Sequence, residues 1–351
     1  MRIAVDAMGA ERGIGIIVEG AIRAVQANPQ IEIILVGDKD KIEEEIRLSH
    51  FKEVPFSVVH APQIVKMTDS ATASLKEKKN SSVAVALNLL NQKKAEALVS
   101  AGNTGAVMTA SLFKLGKLKG VKRPCLAAVF PTLNGKKVVF LDVGANVDCR
   151  PYHLFQFAMM GSIYAYKILR IRTPRVGLLS IGEEENKGND LVLQAFKLMK
   201  KSSLNFVGNI EGRDITSGKV EVVVCDGFIG NIILKFAEGF AKTVLSVVNE
   251  LARSSLAGLG GILSRRWLMQ INKKLDYAEY GGVPLLGVNG VCVIAHGASS
   301  SKAIKNAVLE SFQFAKEKMN HHIERVLARN REVENENKEN KDSRNGILHS
   351  R

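Results

Sequence analysis

Short apolar runs rich in β-branched residues, most of them closed by Gly or Asp, alternate with amphipathic stretches along nearly the whole chain. Their length and composition predict strands at residues 3–6, 31–36, 97–100, 126–130, 138–142, 176–181, 205–207, 220–225 and 291–295. Helical periodicity fills the intervals at 16–25, 82–91, 104–115, 151–169, 190–200, 231–251 and 301–329. Such alternation predicts an α/β fold, a mainly parallel, doubly wound sheet covered on both faces.

Two stretches break this rhythm. Residues 254–274 lack strand signals and set the apolar Leu256, Leu259, Ile262, Leu263, Trp267 and Leu268 beside Arg265, Arg266, Lys273 and Lys274. The stretch 330–351 is polar and nearly charge-balanced, which predicts a disordered tail.

In a doubly wound sheet, ligands bind outside the carboxyl ends of the strands, so the loops after the strands are where chemistry is expected. Here they are small and polar: 100–105 (SAGNTG), 142–148 (DVGANVD), 182–189 (GEEENKGN), 226–231 (DGFIGN) and 296–301 (HGASSS). Loops of this kind expose backbone N–H groups at helix N-termini, the physical basis of anion binding, although a glycine after a strand also serves as a plain tight turn. Lys187 is the lone basic residue beside Glu183, Glu184 and Glu185. It is either a cation steered towards a ligand by a local carboxylate or a surface lysine that balances those charges. His296 closes a strand at the same edge, and His153 follows Pro151 at a helix start; each is a candidate base or a structural imidazole. Asp142 and Asp148 bracket one loop, and we expect them to tie it down and cap the helix at Pro151 rather than bind metal.

Several signatures are absent. The glycines at 9, 13 and 15 do not have the G-x-G-x-x-G spacing, and no G-x-x-x-x-G-K-[ST], G-x-S-x-G or H-E-x-x-H occurs. A nicotinamide dehydrogenase, a P-loop ATPase, a serine triad and a zinc helix are therefore disfavoured, and no metal or cofactor is expected. The scattered Cys125, Cys149, Cys225 and Cys292 suit buried thiols in a reducing cytosol better than disulfides or zinc. The apolar run at the N-terminus is too short for a signal peptide, and no membrane-spanning run occurs.

Composition adds one question. The 351 residues are 46% hydrophobic and 24% charged, ordinary for a soluble protein, yet they carry a formal charge of +14. With aromatics at 6% and no basic stretch interleaved with them, no nucleic-acid partner is expected. Acidic ligands, an acidic protein or anionic lipid remain compatible with the charge.

Taken in order, residues 1–9 (MRIAVDAMG), 99–105 (VSAGNTG), 141–148 (LDVGANVD) and 182–188 (GEEENKG) resemble the phosphate acyltransferases of bacterial phospholipid synthesis. Residues 208–214 (GNIEGRD), 225–231 (CDGFIGN), 280–290 (YGGVPLLGVNG) and 295–305 (AHGASSSKAIK) extend the likeness over about 1–325. The resemblance implies transfer of a long fatty acyl group from acyl carrier protein to inorganic phosphate. The acyl phosphate formed would then serve a glycerol-3-phosphate acyltransferase. It implies a three-layer fold like that of phosphate acetyltransferase and the isocitrate and isopropylmalate dehydrogenases, with two lobes and a cleft at the strand carboxyl ends. It implies one unit over 1–329: lobe 1 over about 1–150 and 285–329, and lobe 2 over about 151–284 with a projecting helical segment 250–276. It further implies a homodimer, cytoplasmic and peripheral to the inner face of the cell membrane.

By the same resemblance, Lys187 and Asn231 are the catalytic residues. Gly9, Gly102, Asn103, Thr104, Gly105, Asn146, Gly230, His296 and Ser299 are expected to bind phosphate or substrate. Leu256, Leu259, Ile262 and Leu263 would contact lipid or the partner subunit. The chain departs from the family at the first loop, where the usual Gly-Gly-Asp is Gly9-Ala10-Glu11. The alternative activity is that of a phosphate acetyltransferase acting on a coenzyme A thioester.

Overall fold

The structure, a computed structural model, describes residues 1–49, 56–255 and 281–330. The expected contact residues Leu256, Leu259, Ile262 and Leu263 and the stretch 331–351 lie outside the described residues.

In chain order the elements are β1 (Arg2–Asp6), α1 (Ile14–Ala27), β2 (Glu32–Gly37), α2 (Lys39–Leu48), β3 (Phe56–His60), α3 (Ala71–Glu77), α4 (Ser82–Asn91), β4 (Ala97–Ser100) and α5 (Thr104–Leu115). There follow β5 (Cys125–Pro131), β6 (Lys137–Leu141), α6 (Pro151–Lys167), β7 (Val176–Leu179), α7 (Asp190–Lys200), β8 (Phe206–Ile210), β9 (Val222–Val224) and α8 (Gly227–Ser255). The remainder is β10 (Val283–Leu286), β11 (Val291–Ile294), α9 (Ser301–Lys316) and α10 (Met319–Arg329). Among the described residues two compact units form: 1–49, 56–110, 231–255, 281–283 and 292–312, and 111–230, 284–291 and 313–330.

The first unit orders its strands β3-β2-β1-β4-β11, with β1 parallel to β2 and β4 and β2 parallel to β3. Past their first residues β1 and β2 are buried without interruption, as parallel strands covered on both faces must be. Register sets Asp6 opposite both Val36 and Ser100, which brings two strand-final polar residues together. Helix α1 buries Ile17, Val18, Ala21, Ile22 and Ala24, the 3.6-residue stripe that the sequence shows.

The second unit orders its strands β10-β5-β6-β9-β7-β8. Strands β6, β9, β7 and β8 run parallel, whereas β5 is antiparallel to β6 and β10. Its core centres on α6, whose Leu154, Phe155, Phe157, Ala158, Met160 and Tyr164 are all buried and which packs against β6, β9, α7 and α10. Helix and sheet approach closely at Gly161, where a Cβ would lie 2.7 Å from Cγ1 of Val222.

The expected α/β fold with a mainly parallel sheet is thus the one observed, and four elements are additional to the sequence reading. Helix α2 buries only Ile42, too little apolar periodicity to reveal it. Strand β3 has no fully buried residue, and β10 contains Pro284, which demotes a strand signal. The short α3 buries only Ser74. The single helix expected over 301–329 is two, divided where Lys318 takes a left-handed conformation at φ 50°.

Candidate functional site

In the first unit the loops after β1, β4 and β11 are tied to one another. The Asp6 carboxylate, 2% exposed, accepts from Ser100 Oγ at 2.7 Å and from the Met8 N–H at 3.1 Å. Burial raises its pKa above the ordinary carboxylate value, against the pull of hydrogen bonds from Ser82, Ser100, Met8 and Gly9. Ser100 Oγ in turn accepts from the Gly102 N–H at 3.1 Å. Gly9 is required here, because a Cβ on it would lie 2.6 Å from the Gly102 nitrogen. The Glu11 N–H donates to the Gly297 carbonyl at 2.9 Å, so the departing first loop is tied to the 296–301 loop.

The side chain of Asn103 is engaged within the protein. Its Oδ1 accepts from the Ala106 N–H at 3.0 Å and caps α5, while Nδ2 donates to the carbonyls of Met67 and Asp69 at 2.8 and 3.3 Å. Thr104 and Gly105 begin α5, and their N–H groups have no acceptor among the described residues. In the loop after β11, His296 Nδ1 accepts from the Ala298 N–H at 3.1 Å, which leaves Nε2 as the outward ring nitrogen. Ser299 is 1% exposed, and its Oγ has no hydrogen-bond partner. A buried hydroxyl without a partner costs free energy and keeps its capacity to donate and accept.

In the second unit Asp142 is fully buried and accepts from five donors. They are the N–H groups of Leu126, Gly144, Ala145 and Asn146 and the side-chain amide of Asn146. Burial raises the Asp142 pKa while these bonds oppose the rise. Asn146 Nδ2 also reaches the Pro124 carbonyl at 2.7 Å, so Asn146 braces the loop. The Gly227 N–H donates to the Asn146 carbonyl at 2.8 Å, and Asp226 Oδ1 caps α8 by accepting from Phe228 and Ile229, both at 3.0 Å. A Cβ at Gly230 would fall on the Asp142 carbonyl oxygen. Asn231, half-buried, is the next residue of α8.

Asp142 therefore ties down its loop as expected, but Asp148 does not cap α6. The cap position is Arg150, and His153 is the residue that folds back, its Nδ1 accepting from the Arg150 N–H at 3.1 Å. His153 thus has a structural role at the helix start. No group of side chains suited to hold a metal ion occurs among the described residues. Burial, with Asp142 nearby, pushes the Cys149 thiol up to about 12.

Lys187 lies in the exposed loop between β7 and α7. Glu183 pairs with Lys219 at 2.8 Å and Glu185 with Lys200 at 2.5 Å, so neighbouring glutamates are matched by other lysines. Lys187 itself has no ion pair among the described residues. Its stem passes Gly182, where a Cβ would lie 3.0 Å from Lys187 Cγ. Asn189 Oδ1 caps α7 by accepting from the Val192 N–H at 3.0 Å.

Asp6, Ser100 and Asp226 organise these loops alongside Asp142, and the sequence reading had no role for those three. Their signal is a polar residue that ends a buried apolar strand, or follows it within two positions, shortly before a glycine. A cavity of about 440 Å³ lined by Lys136, Lys137, Ile168, Leu169, Ile171 and Glu221 lies instead at the starts of β6 and β9 and includes no expected site residue.

The mainly parallel α/β fold is shared with solved phosphotransacylases. A phosphotransacetylase from Streptococcus pyogenes matches with a TM-score of 0.60 at 16% identity, covering 90% of this chain and 94% of that one. A branched-chain phosphotransacylase from Enterococcus faecalis matches with a TM-score of 0.57 at 14% identity, covering 90% and 99%. The family model described as fatty acid synthesis protein matches residues 1–322. The phosphate acyltransferase of Geotalea daltonii is 47% identical over 331 residues, 94% of this chain and 95% of the relative. That of Pelotomaculum thermopropionicum is 49% identical over 309 residues, 88% and 90%. The chain belongs to the phosphate acyltransferase family and is an acyltransferase.

Proposed function

We propose that the protein transfers a long-chain fatty acyl group from acyl carrier protein to inorganic phosphate, producing acyl phosphate for phospholipid synthesis. Beyond family membership, the observation that carries this reading is Lys187, a cation left unneutralised in a loop whose Glu183 and Glu185 pair elsewhere. Phosphate is already an anionic nucleophile, so attack on a thioester needs no serine or cysteine. One phosphate oxygen forms a bond to the acyl carbon, the C–S bond breaks, and the phosphate proton ends on the carrier thiolate.

The protein must hold phosphate in line and offset the charge that develops on the tetrahedral oxyanion. Lys187 offsets that charge, and Asn231 donates to the oxyanion or orients phosphate. The free N–H groups of Thr104 and Gly105 and the unpartnered Ser299 hydroxyl support anion binding, with His296 in the same loop as Ser299. Gly9, Gly102, Asn103, Asn146 and Gly230 contribute by shaping and bracing these loops.

Hydroxylamine trapping of acyl phosphate tests the assignment. Lys187→Ala and Asn231→Ala are each expected to lower turnover roughly 10²- to 10³-fold, the usual effect of losing an oxyanion donor. Near-normal trapping by Lys187→Ala refutes the assigned role. The shared phosphotransacetylase fold keeps acetyl transfer from coenzyme A as the second reading. Acyl carrier protein and coenzyme A thioesters assayed side by side separate the two.

The protein is further proposed to be a homodimer working peripherally at the cytoplasmic face of the membrane. No described helix is long and apolar enough to cross a membrane. Helix α8 exposes Ile232, Phe236, Phe240 and Val247 along one face, with Phe236 and Phe240 stacked at 5.9 Å, a stripe suited to a second subunit. The charge of +14 suits an acidic carrier protein and anionic lipid. Phe236→Glu with Phe240→Glu is expected to give a monomer by light scattering, and an unchanged mass refutes this use of the stripe.

A further inference from the structure

Asn209 on β8 is 3% exposed and sits opposite Leu178 of β7 in the parallel register. Its Nδ2 donates to the Glu184 carbonyl at 2.8 Å and to the Lys187 carbonyl at 3.4 Å. The Lys187 carbonyl also accepts from Ser180 Oγ at 3.1 Å, and the Lys187 N–H donates to the Glu184 carbonyl at 3.1 Å. Side chains from the ends of two adjacent strands thus grip the peptide units that carry Lys187.

The orientation of this amide is forced. Reversed, its oxygen would face two carbonyl oxygens, so nitrogen must point into the loop. That choice leaves Oδ1 buried with no hydrogen-bond partner. A buried acceptor without a donor costs free energy, and an apolar side chain of similar volume would avoid the cost. An asparagine here is explained by what its Nδ2 does for the loop rather than by core packing.

We propose that Asn209 is a positioning residue for Lys187, fixing the backbone from which the ammonium is presented to the developing charge. This rests on the reading of Lys187 given above. Ser180 is the second, weaker part of the same device, holding one carbonyl where Asn209 holds two.

The test is turnover by hydroxylamine trapping in the full-length protein, using Asn209→Ala, Asn209→Asp, Ser180→Ala, Lys187→Ala and the double variant Asn209→Ala/Lys187→Ala. Asn209→Ala is expected to lose about 10²-fold in kcat, the effect of a displacement near 1 Å, while the double variant is no slower than Lys187→Ala alone. Asn209→Asp supplies a readout that a packing role would not move. As a carboxylate it sets oxygen against both carbonyls, whereas the protonated acid can donate again, and burial raises its pKa. Its turnover relative to wild type should therefore rise as pH falls from 8 to 6, while the Asn209→Ala ratio stays flat.

Full turnover by Asn209→Ala beside an inactive Lys187→Ala, multiplicative losses in the double variant, or a flat Asn209→Asp ratio each overturn the proposal. If the Asn209 variants fail to fold, Ser180→Ala decides: a smaller kcat loss that vanishes in a Lys187→Ala background supports it, and wild-type kcat overturns it. Wild-type turnover by Lys187→Ala is a different failure, that of the Lys187 reading, and the catalytic role of Asn209 falls with it. Hydrogen exchange at amides 183–188 then still reports on the grip itself: faster exchange in Asn209→Ala upholds it, and unchanged exchange ends it.

Discussion

Asp142→Asn turns one oxygen of a fully buried carboxylate into an NH2 group with almost no change of shape. In the wild type Oδ1 accepts from the N–H groups of Leu126, Gly144 and Ala145 at 2.9, 3.3 and 3.0 Å. Oδ2 accepts from the backbone and side-chain nitrogens of Asn146, both at 2.8 Å. The carboxamide keeps its oxygen on the three-donor side, so its NH2 confronts the two donors of Asn146. Two hydrogen bonds to a charged acceptor are lost, at about 1.5–3 kcal/mol each. Burial of the charge, which raises the Asp142 pKa, offsets part of this loss when the charge is removed. The net destabilisation expected is roughly 2–4 kcal/mol, read from the urea midpoint shift and the m-value. Because Gly230 abuts the Asp142 carbonyl, loosening this loop also disturbs the first turn of α8 next to Asn231, and turnover should fall as well. A stability change below about 1 kcal/mol would refute the reasoning, since the donors would then have found other acceptors at little cost.

Two further measurements follow from buried groups. The Asp6 pKa is raised from its ordinary 3.8, so between that value and the raised one the folded state holds more protons than the unfolded. Stability contributed at this site should therefore fall as pH rises through that window and stay level above it. The difference in melting temperature between wild type and Asp6→Asn should show this slope, and a difference independent of pH counts against it. Cys149, with its thiol pushed up to about 12 against an ordinary 9.0, should react with iodoacetamide at neutral pH roughly 10³-fold more slowly than a free thiol and at ordinary speed in urea. Prompt labelling of the native protein at Cys149 would show that the side chain is not held as described.

The strands most visible in the sequence, at 3–6, 97–100 and 138–142, became β1, β4 and β6 because continuous burial leaves a continuous apolar run. The elements that escaped notice lack that signature: α2 rests on Ile42 alone, and β3 is half-exposed. Strand order was not legible either, since nothing local distinguishes β5, which runs antiparallel to both neighbours, from its parallel companions. At the site, the sequence marked where the loops fall and which residues in them are unusual. It did not show which polar groups face each other. Asp6 meets Ser100 across 94 positions, and Asn209 meets the Glu184 carbonyl across 25, contacts that depend on strand register.

Register also changes how the glycine-rich loops are to be understood. Read from the sequence, each offers backbone N–H groups to an anion. In the structure many of those groups already serve an internal carboxylate: Met8 and Gly9 serve Asp6, Gly144, Ala145 and Asn146 serve Asp142, and Phe228 and Ile229 serve Asp226. These carboxylates fix the loops after β1, β6 and β9, and the amides they hold are withdrawn from ligand binding. Among the described loop residues, the groups with hydrogen-bonding capacity to spare include the Thr104 and Gly105 amides, Ser299 Oγ and His296 Nε2 in the first unit, the Lys187 ammonium in the second, and the Asn231 side chain on α8. An anion at the loops of either unit meets carboxylates whose hydrogen bonds are already satisfied, so its attraction must come from groups of this kind. For the same reason, substitutions among them should change turnover far more than stability, and substitutions at the buried aspartates should change both.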